Sequence, residues 1–462
     1  SSDVCSSDLY QGKNTAVANA ANTQIAATAS LDADAAAASA NGGRVIVWAD
    51  HTTRYSGALS ARGGVAGGDG GFAEVSGKRT LAFAGTSDLS AAAGRRGTLL
   101  LDPDNITIVA GTTAEPPGLV NGPPVTWSEA ADPGDHDFGA DNLVALLANN
   151  SVHLSAADTL TVNAPVVVAA GGTPGVGLSF SASTIAINAT VSLANVANGT
   201  LLFFHGGSAA GTSLTTAAGA TIAAPRIQVG SFPITNFNGP VSTDALNYYG
   251  AAEVTSFTAT NPANAIAQFV LNTDSADPQA IDFTGNVAVH SGTAMAVSAM
   301  IGAANEVTFS SAGDLTMRND NTDVSVITAS GSTKLASTGG VLINEAGADL
   351  LAGTGRKLLY TSAVDGAFTL GGLTGYTQVD GVNYPNDPNA AVTLVLYHAT
   401  GGGPTLTLTI SANDFIKLYG EADPTFTASY AGGTASDLTM LPTFSIQEGG
   451  HTNVGTYTIV PS

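Results

Sequence analysis

The chain has 462 residues, 44% hydrophobic but only 11% charged and 6% aromatic, with 55 glycines. The recurring Val/Ile/Leu runs exclude a disordered chain, and a formal net charge of −22 argues against nucleic acid as a partner. The acidity lies downstream: residues 1–100 hold eight Lys/Arg against eight Asp/Glu, and residues 101–462 hold six against 28. With Cys5 as the sole cysteine, no disulfide can form within the chain, and no run of 18 apolar residues offers a transmembrane helix.

Residues 1–9, SSDVCSSDL, share nothing with the rest of the chain and are read as a non-native, adapter-derived tail. An Ala/Asn-rich approach leads into a glycine-rich repeat at 31–104, and the block as a whole is placed at 10–120. The repeat aligns SLDA at 30–33 with ALSA at 58–61 and DLSA at 88–91. Each is followed by a glycine-led apolar run: GGRVIVW at 42–48, GGFAEVS at 70–76 and RGTLLLD at 96–102. A unit of this length cannot bury its own apolar face and must stack on its neighbours. Its short strand-like pieces, with glycine where the backbone turns, predict strands hydrogen-bonded from one turn to the next. The expected fold is therefore all-β, a right-handed parallel β-helix (β-solenoid).

The succession GGRVIVWADHTT, YSGALSARGG, GGDGGFAEVSGK, GTSDLSA and GTLLLDPDNITI resembles the glycine-rich block of filamentous haemagglutinin-type large exoproteins. The resemblance covers about 31–108. It implies export by two-partner secretion through an outer-membrane barrel transporter. The export signal and secretion domain of that family do not occur in this sequence, so the chain is expected to be a fragment.

Pro116-Pro117 and Pro123-Pro124 mark an excursion, after which the β-helix is expected to continue over 121–400. DNLVALLANN at 141–150 has the acidic start and apolar spacing of a short helix packed on a side or seam of the coil. LSAADTLTVNA at 154–164 and FSASTIAINA at 180–189 open a second set of repeats, with apolar members inward. Over 243–300 the pattern blurs, and an irregular, loop-rich insertion is predicted there as a candidate binding surface. About 380 residues at roughly 25 per turn correspond to about 15 turns and about 70 Å of rod.

A hinge is expected at GGGP, 401–404. Over 405–462, YGEADP at 419–424 and NVGTY at 453–457 resemble the bacterial immunoglobulin-like MBG module. The expectation is a partial, truncated immunoglobulin-like β domain with an unpaired strand edge.

A search for chemistry yields little. His51, His136, His153, His205, His290, His398 and His451 are scattered singly, without metal-ligand spacing. Residues 71–78 have five residues between Gly71 and Gly77 and Arg79 after Lys78, which departs from a phosphate-binding loop. Candidate carboxylate pairs are Asp102 with Asp104, Asp132 with Asp135 and Asp137, and Asp320 with Asp323. All sit in turn-like contexts where Asp bonds its own backbone. A calcium loop built from Asp132, Asp135, Asp137 and Asp141 would have oxygen ligands but has neither EF-hand nor nonapeptide spacing. The chain is thus expected to be non-enzymatic, without cofactor, metal or catalytic residues. The expected role is that of a secreted or outer-membrane-associated adhesin-like exoprotein whose partners are cell-surface glycans or proteins. A polysaccharide-active β-helix enzyme is the alternative.

Overall fold

A computed structural model describes residues 19–113, 137–170, 172, 174–206, 212–230, 232–249, 253–272, 280–320, 323–362, 369–399, 409–431, 440–447 and 453–461. The tail at 1–9, the prolines at 116, 117, 123 and 124, and the hinge at 401–404 lie outside the described residues. The chain divides into two compact units, 1–401 and 402–462.

The first unit is a parallel β-helix with three faces. The first face stacks Arg44–Ala49, Phe72–Gly77, Thr98–Leu101, Ser151–Ser155, Gly177–Ala182, Thr200–His205 and Arg226–Gly230, each pairing in parallel with the next. The second face holds a sheet of 13 strands, and a third face carries short strands of two or three residues. Alternation decides which side chains point in. Leu160 and Val162 pair with Ile185 and Ile187, and all four are buried in the interior. Asn163 and Asn188 come next at the corner, where the Asn188 Nδ2 donates to the Asn163 Oδ1 at 2.9 Å.

Glycine sets how closely the rungs can approach at one corner. A β-carbon on Gly71 would run into the Gly43 carbonyl oxygen, and one on Gly97 into the Gly71 carbonyl oxygen. Only a residue without a side chain fits between stacked backbones there. Beyond that corner, Asp34 receives the backbone and guanidinium N–H groups of Arg62 one rung on, and Asp69 does the same with Arg95. The Arg62 guanidinium holds the Asp34 carboxyl down at about 2.

The repeat alignment needs one correction. Leu31 pairs with Leu59, but Leu59 pairs with Ser87 rather than Leu89. The third copy is therefore displaced by two residues, with Leu89 equivalent to Ala61: Gly71 N donates to the Ala61 carbonyl as Gly97 N does to that of Leu89. A shift of two keeps every side chain on its own face, so the misalignment leaves the inward pattern intact.

The expected irregular insertion at 243–300 is also corrected. Its described residues form rungs: Ala245–Tyr249, Gln268–Asn272 and Met295–Ala303 extend the first face, and Ser256–Ala259 and Val287–Ser291 the second. Step length and residue type are what blur the pattern. Successive second-face partners Thr235, Phe257, Val287 and Val307 lie 22, 30 and 20 residues apart. The interior also switches to aromatic rings, Phe203, Phe237, Phe257, Phe269 and Phe309, with consecutive centroids 5.3–6.3 Å apart.

The helix runs over Ala140–Leu147 and buries Ala140, Leu143, Leu146 and Leu147. It takes the third-face position between Thr86–Asp88 and Val166–Val167, packing against both. Asn150, fully buried, fastens its end. The Asn150 Oδ1 accepts from Leu89 N and Ser87 Oγ, and its Nδ2 donates to the carbonyls of Ser87 and Leu146. Arg96 donates to the Leu147 and Ala148 carbonyls at the negative end of the helix.

Among the described residues, the second face is laid down out of chain order twice. Asp137–Gly139 pairs with Asn105–Val109 on the side away from Thr159–Val162, with Phe138 against Phe83 of the preceding rung at 6.3 Å. At the other end, Leu394–His398 lies between Arg356–Thr361 and the earlier strand Thr377–Val379. There a second apolar cluster, Ala336, Leu358, Tyr360, Val395 and Tyr397, forms on the outside of the sheet. The 380–393 loop closes over it. Asp387 pairs with Arg356 and accepts from the Tyr397 hydroxyl at 2.6 Å, and the Tyr360 hydroxyl donates to the Asn386 carbonyl.

Among its described residues the second unit has two antiparallel pairs, Thr409–Ala412 with Ala428–Ala431 and Phe444–Ile446 with Ile459–Pro461.

Candidate functional site

Among the described residues, the carboxylates singled out in the sequence do not gather into one common site. Asp102 and Asp104 come directly after the strand Thr98–Leu101 and are both half-buried. Asp104 instead stacks with a residue of the next rung, Asp158, whose backbone N–H donates to the Asp104 carbonyl at 2.9 Å. Burial, reinforced by the Asp158 charge and opposed by Arg79 and Lys78, raises the Asp104 pKa. Asp132 and Asp135 lie outside the described residues. Asp137 and Asp141 are exposed, Asp141 in the first turn of the helix. Asp320 and Asp323 pair across a small antiparallel ladder.

His51 is exposed, while His153, His205, His290 and His398 sit on separate rungs. The His290 Nδ1 lies 2.9 Å from the Ser310 Oγ, and the His398 Nδ1 3.3 Å from Asp380. His136 and His451 lie outside the described residues. Among the described residues, no three of His, Cys, Asp and Glu gather as a metal-holding group.

Sequence reasoning missed Glu74. Ala73 and Val75 point into the coil, so alternation turns Glu74 outward, yet it is 0% exposed. Its Oε1 accepts from the Ser76 hydroxyl at 3.0 Å, and its Oε2 has no hydrogen-bond partner among the described residues. Burial pushes its pKa up to about 7; Asp102 adds to the rise, and Ser76 and Arg44 oppose it. In register along the same face run Ile46, Glu74, Leu100 and His153. The His153 Nε2 is likewise buried without a partner among the described residues, and burial lowers its pKa. Only the burial of an outward position distinguishes Glu74, and the alternation pattern carries no sign of it.

In the second unit, an open groove of about 1110 Å³ is lined by Phe415, Ile416, Tyr419, Phe426, Val454 and Tyr457 among others. The YGEADP segment makes a turn at Gly420, whose φ is +91°, and Glu421 N donates back to the Leu418 carbonyl at 3.1 Å. The Tyr457 hydroxyl donates to the Asn453 carbonyl within NVGTY. No described residue of this unit is buried.

Residues 408–462 match the MBG domain (YGX type) family. Comparison with curated proteins returns no match. A parallel β-helix joined to an MBG domain fits a surface-exposed, extracellular protein. No helix among the described residues is long and apolar enough to cross a membrane.

Proposed function

We propose that the chain is part of a bacterial adhesin-like exoprotein of the filamentous haemagglutinin type. It would leave the cell by two-partner secretion through an outer-membrane barrel transporter and stay secreted or attached to the outer surface. The β-helix acts as a stiff stalk, and its surface, with the MBG module downstream, is presented to glycans, matrix or cell-surface proteins. The observation that carries this reading is the β-helix, with stacked rungs over most of its length, succeeded by the match to an MBG domain. Its backbone groups pair rung to rung, which makes it stiff without a large globular core.

The test is saturable binding of purified, labelled chain to cells and to an array of immobilised glycans, with a heat-denatured chain as control. Binding that rises linearly with concentration on every surface rejects the adhesin reading. A second reading rests on Asp104 and Asp158, which lie on neighbouring rungs joined by a backbone hydrogen bond; burial, reinforced by the Asp158 charge, raises the Asp104 pKa, as a general acid of glycoside chemistry would require. It predicts release of reducing ends from acidic polysaccharides, abolished in Asp104→Asn.

A further inference from the structure

Glu74 stands out because no structural need for a carboxyl is visible at its position. It faces away from the apolar interior, is sealed from solvent and has one neutral donor, Ser76. The charged groups that reach it are Arg44 on the preceding strand, spread over the Phe72 ring at 5.5 Å, and Asp102 at the end of the next one. Two strands along the same row lies the imidazole of His153. Neither Ser76 nor Arg44 gives the second carboxylate oxygen a hydrogen bond. An ionised carboxyl left so is costly, whereas the neutral acid fits.

We propose that Glu74 is a proton-operated latch within the first face: its neutral carboxyl lets Arg44–Ala49, Phe72–Gly77 and Thr98–Leu101 pack with no water at this position, and its ionisation draws water in and loosens them. The sign comes from the environment. The folded chain holds the Glu74 proton more tightly than the unfolded chain does. Its contribution is therefore complete below the ordinary glutamate range and is lost as pH rises through about 7. His153 works in the opposite direction, since its lowered pKa makes the folded chain lose stability as pH falls below the ordinary histidine value.

The experiment is amide hydrogen exchange by mass spectrometry on the whole chain between pH 5 and 9, corrected for the intrinsic pH dependence of exchange. Protection in the three strands is expected to fall on the order of a hundredfold between pH 5 and about 7, with a midpoint near 6, and to level off at more alkaline pH. Thr200–His205 and Arg226–Gly230 stay level. In Glu74→Gln the fall disappears, while Ser76→Ala, which keeps the carboxyl but removes its donor, moves the midpoint upward. The same pH slope in wild type and Glu74→Gln, or an unmoved midpoint in Ser76→Ala, overturns the proposal.

Discussion

Tyr55 shows what an orphaned polar atom costs at the scale of one residue. Its ring stacks on Phe83 at 5.2 Å, and it is fully buried. Its hydroxyl has no hydrogen-bond partner among the described residues, and burial raises its pKa to about 12. Tyr55→Phe keeps the stack and removes the orphan. It is expected to leave stability unchanged or raise it by about 1 kcal/mol in urea denaturation. Gly71→Ala should do the reverse, costing several kcal/mol, because the neighbouring rung's carbonyl fills the space a methyl group needs. The glycines were legible in the sequence because their need is local and repeats with the rung. Glu74 was not, because its peculiarity comes from its surroundings rather than from its place in the alternation.

Among the elements, the helix Ala140–Leu147 carries the clearest dependence on a single side chain. Asn150 ties it to the preceding rung through three hydrogen bonds, to Ser87 and Leu89, and holds the helix end through a fourth, to the Leu146 carbonyl. Asn150→Ala takes the side-chain partner from the buried Leu89 N–H and from the Ser87 carbonyl. A loss of roughly 3 kcal/mol is expected, measurable as a lowered urea midpoint with unchanged slope. The helix itself could be read from the spacing of Leu143, Val144, Leu146 and Leu147. The role of Asn150 could not, since an Asn after a helix reads as an ordinary terminator. The second-face rung around Phe257 offers a comparable test. That ring touches Phe237, Tyr248 and Phe269, and Phe257→Ala should cost about 3–5 kcal/mol, which a loop residue would not. Sequence alternation failed there because the steps between rungs changed length and inward positions passed from aliphatic to aromatic residues.

Over the whole first unit, stability is a sum along a row: each rung touches mainly its neighbours, so damage stays local. Hydrogen exchange on Phe257→Ala should show lost protection in Ile234–Phe237, Ser256–Ala259 and Gln268–Asn272. Arg44–Ala49 and Phe72–Gly77 should keep theirs. Equal loss everywhere would mean a single cooperative core instead. The repeated wording of the sequence announced this arrangement, because a short unit that recurs must find its apolar partners in its own copies.

The strand Asp137–Gly139 carries a different consequence, one of timing. A row of rungs can grow from one end, each new strand zipping onto the last. Yet the edge of Thr80–Phe83 is met by residues that come after Asn105–Val109 in the chain. For rungs laid down from the amino end, one wall stays open at this point until Asp137–Gly139, some thirty residues beyond Asn105–Val109, has arrived to pair with it. A chain stopped short of residue 137 would hold its first rungs with an open wall, exposed to capture by anything that binds unpaired strands.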